Sequence, residues 1–422
     1  MQQFRAEVCI IILVAGLLFF VPVGVASEAT PVPDLKWPRP RIVVAISRSL
    51  AESPAIQGDV AYTVQRSTSS WTEAADLRID TVDSDLLSVS PKGIRGDGVS
   101  LITIASTAEN VALFPKQAES PAAATRIFSD RRGNITEADI VLNPFVRFST
   151  DGTFGTFDLE ATITHEIGHL LGLDHSPAWG SVMFHAAGMS FGPAMHAGSR
   201  EGLSETDAAA IRGIYGARSD DSACCGVLTG RVWGIPAALK KRSVSVWLED
   251  IASGRLLAAG LVSDGGIYEL KGLRKGTYRL RVAAEIGTNI SAFAEESVQV
   301  SVGDISGRDI KLTPAKVSFS AYLFGTSPQI AALPGKIQPG GSSSIFIGGR
   351  GVDKHVAKVG ISGVMEPFGS PDFRVSDYGD AVKVISFQIP DGLLTTPGEY
   401  SILLEDSTGV RRFLIGALVV VR

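Results

Sequence analysis

At roughly 150 residues per domain, a chain of 422 residues has room for about three domains, each able to bury its own core. Hydrophobic residues make up 45% and charged residues 20%, which excludes a disordered chain. A net charge of −5 without a basic stripe lacks the footprint of a nucleic-acid binder, and 45 Gly with 21 Pro point to many turns and short strands.

The chain opens with a short polar segment carrying Arg5, then the apolar run Cys9–Val21, then small residues ending at Ala26. Residues 1–26 therefore read as an export signal cleaved after Ala26, with a retained anchor as the alternative. Cleavage predicts a secreted protein, extracellular, periplasmic or on the cell surface, with no stable membrane insertion. The remaining cysteines are Cys224 and Cys225, too close across a trans peptide for an ordinary bridge, so no disulfide framework is expected.

After a linker at 27–36, IVVAIS (42–47) predicts a first strand. Ile56, Val60, Val64 and Trp71 recur near helical spacing and predict a helix over 54–71. VSLITIAS (99–106) and ADIVLN (138–143) read as strands, and FDLEATITHEIGHLLGL (157–173) as a helix with acidic residues at its start and Gly172 near its end. A last helix over 203–215 has Ser204 and Asp207 in capping spacing, with Gly216 as its stop. Asp207 is read first as that cap, and second as a brace for the turn around Met183.

Composition changes at 219–225, a small and polar linker. Runs such as VSVWLED, IYELKGL and TYRLRVAA then alternate with turn signals, predicting one β-sandwich over 226–314 and a second over 315–422. The final apolar run is about ten residues long, a buried strand rather than a membrane span.

The chemistry concentrates in HEIGHLLGLDHS, residues 165–176. On a helix, His165 and His169 present two imidazoles on one face, and a positive-φ Gly172 turns the chain so that His175 supplies a third. Three nitrogen ligands with one open position are the arrangement of a catalytic Zn²⁺. Glu166 is placed to take a proton from an attacking water and return it to the departing amine. Met183 is assigned a supporting floor rather than a ligand. His185, His196 and His355 lack metal spacing and are read as ordinary polar residues, His185 being nearest the cleft.

HEIGHLLGLDHS followed by SVM resembles the metzincin pattern HExxHxxGxxH with its Met-turn, and Ser176 after the third histidine resembles the matrixin branch. LKWPRPRIVVAI, ADIVLN and LSETDAAAIRGIYG extend the resemblance, giving a domain over 37–218. It implies an α+β catalytic domain with a twisted five-stranded mixed sheet and three helices, which, with the two all-β sandwiches read from their turn signals, makes the chain multidomain. It also implies a substrate lying along an edge strand and zinc metalloendopeptidase activity on protein or peptide substrates. Because no His precedes His165, the second, structural zinc of animal matrixins cannot be built in this form, and no Cys lies in 27–223 for a cysteine-switch latency. Asp151, Asp158 and Glu160 are candidate calcium ligands. The middle sandwich is similar to carboxypeptidase regulatory-like or transthyretin-like modules, and the last to immunoglobulin-type TIG modules. The competing reading is a surface adhesion or binding protein with a vestigial metzincin domain, against which the intact His165, Glu166, His169 and His175 set argues.

Overall fold

The computed structural model describes residues 35–93, 95–185, 202–235, 244–286, 290–326, 334–368, 374–378 and 382–421. The export signal and His196 lie outside the described residues. The protein is mostly β, with few helices and several sheets.

In chain order the first module contains β1 (Arg41–Ser47), α1 (Ser49–Glu52), β2 (Ile56–Gln57), α2 (Val60–Ala74), β3 (Arg78–Ser84), β4 (Ser100–Thr103), α3 (Ala108–Val111), β5 (Ala123–Ser129), β6 (Ile135–Leu142), β7 (Phe148–Ser149), β8 (Phe157–Asp158), α4 (Leu159–Leu170) and α5 (Glu205–Tyr215). Its main sheet runs β3-β1-β4-β6-β5, parallel except for β5, which pairs antiparallel to β6. The helix expected over 54–71 starts only at Val60, because Asp59 caps it by accepting from Tyr62 N–H at 3.0 Å. Upstream, Ile56–Gln57 pairs instead with Phe148–Ser149. Helix α2 buries Val64 and Trp71 on its inner face, and the Trp71 indole donates to Thr164 O at 3.0 Å, fixing α2 against α4. The C-terminal carbonyls of α4 are met by distant residues: Trp37 Nε1 donates to Leu170 O at 2.9 Å and Tyr215 Oη to Leu171 O at 2.8 Å.

Two strands escape the sequence pattern. Strand β3 (RIDTVDS) has no fully buried residue and mixes acids among its apolar positions, while β5 (AATRIFS) begins on two alanines. Neither offers the alternation that marks a half-buried strand.

Beyond α5, strands Leu256–Leu261, Val244–Asp250, Gly276–Ile286, Ile290–Val300 and Thr313–Lys316 form a sheet in that order. A smaller sheet centres on Gly226–Trp233, and the two share a core that includes Leu228, Val246, Leu280 and Val298. A four-stranded and a five-stranded sheet follow, enclosing a further core with Phe319, Phe324, Ile347, Ile402 and Leu418. The last run is the buried strand Arg411–Val420. Strand Thr313–Lys316 still pairs with the middle sheet whereas Val317 packs in the last core, so the change of core falls just beyond the expected junction at 314. Cys224 and Cys225 are joined by a disulfide across a cis peptide with Cα atoms 3.1 Å apart. The expectation of an unbridged pair assumed a trans peptide.

The modules are not strung out. Helix α5 turns Ile211 into the first core and Ala209 into the middle one, and Arg212 Nε donates to Gly272 O at 3.2 Å. Ala178, from the segment after His175, shares a cluster with Trp247, Leu256 and Ala283 of the middle module and Leu403, Phe413 and Ile415 of the last. Among the described residues no helix is long and apolar enough to cross a membrane.

Candidate metal centre

Asp158 caps α4, accepting from Ala161 N–H at 3.0 Å, and the helix carries His165, Glu166 and His169 in sequence. It ends in a Schellman turn: Gly172 N–H donates to His169 O at 2.9 Å and Leu173 N–H to Gly168 O at 3.0 Å. Gly172 has φ +97°, and a Cβ there would lie 2.1 Å from Leu35 O, so only glycine fits this reversal. The reversal brings His175 back to the two helical histidines.

His169 Nε2 lies 3.1 Å from His165 Nε2 and 3.2 Å from His175 Nε2, and all three ligand atoms lie within 4.8 Å of one another. Ligands on a tetrahedral zinc with Zn–N of about 2.0–2.1 Å stand about 3.3–3.4 Å apart, so the spacing fits. The second ring nitrogens strengthen the argument. His165 Nδ1 sits 2.7 Å from Val182 O and His169 Nδ1 2.8 Å from Leu173 O. A carbonyl only accepts, so each Nδ1 carries the proton, and a neutral ring then turns a lone pair outward at Nε2. Lone pairs 3 Å apart repel unless a cation lies between them. Burial first, then the neighbouring His169, lowers the His165 pKa to about 3, and burial lowers that of His175 to about 4; both rings are held in the neutral, ligating form.

Glu166 is buried, and burial raises its pKa, opposed by His169 and by a hydrogen bond from Thr125. Thr125 Oγ1 donates to Glu166 Oε2 at 2.5 Å. Thr125 stands on β5, so this bond ties the edge strand to the helix. Nothing in its sequence context marks this threonine; only the antiparallel pairing of β5 brings it there.

Met183 is 2% exposed and packs against α4 at Gly168, where the missing side chain makes room: a Cβ there would meet Met183 Sδ at 2.2 Å. Of the two roles read for Asp207, the structure shows the second. The cap of α5 is Ser204, whose Oγ accepts from Asp207 N–H at 3.1 Å, while the Asp207 carboxylate braces the turn, accepting from Ser181 Oγ at 2.5 Å and Val182 N–H at 2.9 Å. His185 lies 6.5 Å from His175 between ring centroids and is exposed, outside the trio. His355 stands far along the chain on a short helix, Val352–His355.

The calcium candidates do not converge. Asp151 accepts from Thr153 N–H and Oγ1, Asp158 is spent on the α4 cap, and Glu160 pairs with Arg66 at 2.9 Å. Among the described residues, His165, His169 and His175 form the one group of three or more metal-capable side chains.

A mixed-sheet domain whose central helix and following turn gather three imidazoles beside a buried glutamate is a candidate metallohydrolase domain. Residues 37–216 match the family described as Matrixin (Peptidase_M10), so the chain carries a matrixin-type domain. Over 155 residues the chain is 29% identical to Metalloendoproteinase 1-MMP of Arabidopsis thaliana, a match covering 35% of this chain and 38% of that relative. Solved structures similar to the chain include a putative adhesin from Bacteroides ovatus, 13% identical with a TM-score of 0.19, over 47% of this chain and 84% of that one. Another is the fimbrial anchor protein Mfa2 of Porphyromonas gingivalis, 12% identical with a TM-score of 0.19, over 46% and 83%. Scores this low establish neither a shared fold nor a shared role.

Proposed function

We propose that the protein is a secreted zinc-dependent endopeptidase acting on proteins or peptides, built from a catalytic module at 37–218 and two β-sandwich modules at 226–314 and 315–422. The observation that carries this reading is the convergence of three Nε2 lone pairs, two of them locked in place by backbone carbonyls at Nδ1. His165, His169 and His175 would hold the zinc, and Met183 would pack beneath them. Bound there, zinc would polarise the scissile carbonyl and acidify water.

The rest belongs to the chain. Glu166, buried yet hydrogen-bonded by Thr125, takes the proton of the attacking water and delivers it to the departing amine. Among the described residues strand β5 ends its sheet, and that edge suits an extended peptide added as a further strand. Thr125 on that strand then sets the distance between the peptide and the base.

The test is hydrolysis of casein or gelatin by the chain lacking residues 1–26, with and without a zinc chelator. Hydrolysis that stops on chelation and returns with zinc is expected. Hydrolysis indifferent to chelation would refute the reading.

A further inference from the structure

The segment between His175 and Met183 is not supported by the catalytic module alone. Trp179 packs against the core of the last sandwich, and its backbone N–H donates to Ile415 O at 2.8 Å, on the buried strand Arg411–Val420. Ala178 is fully buried between the middle and last modules. Gly180 runs so close to Glu399 that a Cβ there would lie 2.1 Å from Glu399 Oε1. Glu399 belongs to the last sandwich, is 4% exposed, and through Oε2 accepts from Thr206 Oγ1 at 3.2 Å, on α5. The next residue on that helix, Asp207, holds Ser181 and Val182.

Ser181 begins the turn whose Val182 carbonyl holds His165 Nδ1 at 2.7 Å. From Ile415 to the first histidine there is thus an unbroken run: a backbone bond at Trp179, three residues of chain, a backbone carbonyl, an imidazole. Bonds of this kind to the far nitrogen of a ligating ring fix its orientation, and their loss costs metal affinity.

We propose that the last β-sandwich is a structural part of the metal centre, with Trp179 and Glu399 as positioning residues that hold the Met183 turn, and through Val182 the His165 ring, in its ligating geometry. The inference rests on the zinc reading above. On it, the site is complete only when the last sandwich is docked.

The experiment uses the full chain and compares Trp179→Ala and Glu399→Ala with Ser362→Ala. Ser362 lies where the two sandwiches meet, donating to Glu249 at 2.7 Å. Zinc loss to a competing chelator, kcat and KM on a quenched peptide, and hydrogen exchange at Val182 and Met183 are measured for each. Trp179→Ala is expected to lose zinc about ten-fold faster and to lower kcat more than it changes KM, with faster exchange in the turn even without metal. Trp179→Phe, which keeps an aromatic ring on the same core, should recover most of that retention. Glu399→Ala should move the same readouts in the same direction by less, and it carries the test if Trp179→Ala does not fold. Zinc retention and exchange in Trp179→Ala or Glu399→Ala equal to those of Ser362→Ala would overturn the proposal while leaving the zinc reading intact. A wild-type chain that takes up no zinc would sink the zinc reading instead, and protection at Val182 and Met183 unchanged in Trp179→Ala and Glu399→Ala would then sink the clamp as well.

Discussion

Two clusters of ionisable side chains can be set side by side: the histidine trio with Glu166, which runs from buried His165 and Glu166 to exposed His175, and the group around Glu249. Glu249 is fully buried where the two sandwiches meet. Its carboxylate accepts from Trp247 Nε1 at 2.9 Å and Ser362 Oγ at 2.7 Å, and it pairs with Arg281 at 3.1 Å. Every strong partner of that charge is supplied by the protein. In the trio the opposite holds: the protein engages Nδ1 on His165 and His169 and leaves the Nε2 atoms facing one another. What separates a site from a strut is a set of convergent acceptors that the fold orients and does not satisfy.

The comparison is broken most directly at Glu166. Glu166→Ala should retain zinc yet lower kcat by about 10²–10⁴-fold, because proton transfer is removed while the ligands stay. Metal content and turnover measured on one preparation check this, and loss of metal would remove Glu166 from its assigned role. The converse substitution is Glu249→Ala, which leaves the buried Arg281 guanidinium with Glu295 at 3.3 Å as its remaining carboxylate partner. It should cost about 3 kcal/mol in stability, read as a lowered unfolding midpoint, with zinc content unchanged. Zinc loss there would mean that the two clusters are one.

A finer probe is Thr125→Val, which deletes the bond to Glu166 and keeps the shape of β5. We expect kcat to fall by roughly ten-fold, in line with a charge-assisted hydrogen bond, with zinc binding unaltered. An unchanged kcat would detach the edge strand from the base.

The smallest expected effect concerns pH. Burial, and secondarily the Asp207 charge, raise the Glu399 pKa to about 8, so the folded protein favours its neutral form; Glu205 adds to the same repulsion. With a folded pKa above the usual 4.5, its contribution to stability is complete below about pH 4.5 and is lost as pH rises through about 8. Glu399→Gln stays neutral throughout, so its melting temperature should exceed that of the wild type most at pH 9, by less at pH 6, and converge with it at about pH 4. Parallel curves across that range would show that Glu399 does not titrate as described.

Much of the catalytic module was legible because its determinants are local. The i, i+4 histidines, the Gly172 reversal and the Ser204 cap each lie within a few residues of what they control, and so does the first strand's β-branched content. What escaped depends on distant chain. Strand β5 and Thr125 matter through pairing with β6 and contact with α4, and the sequence around them carries no periodic signal. The helix at α2 was read six residues early because Ile56 fits a helical face as well as it fits the short strand that pairs with Phe148. The partners of Asp151, Asp158 and Glu160 were equally out of sight: carboxylates close in sequence are each engaged by a different group, among them a helix cap and Arg66. The docking of Trp179 on the last sandwich joins residues more than 200 positions apart, beyond any window of sequence pattern.

The central claim is that three imidazoles form one zinc site. It is tested most directly by metal analysis of the purified full-length protein after dialysis against trace zinc, alongside His169→Ala. The account predicts one zinc per wild-type chain and none retained by the variant; a wild-type chain that takes up no zinc, or a variant that keeps it, would contradict it.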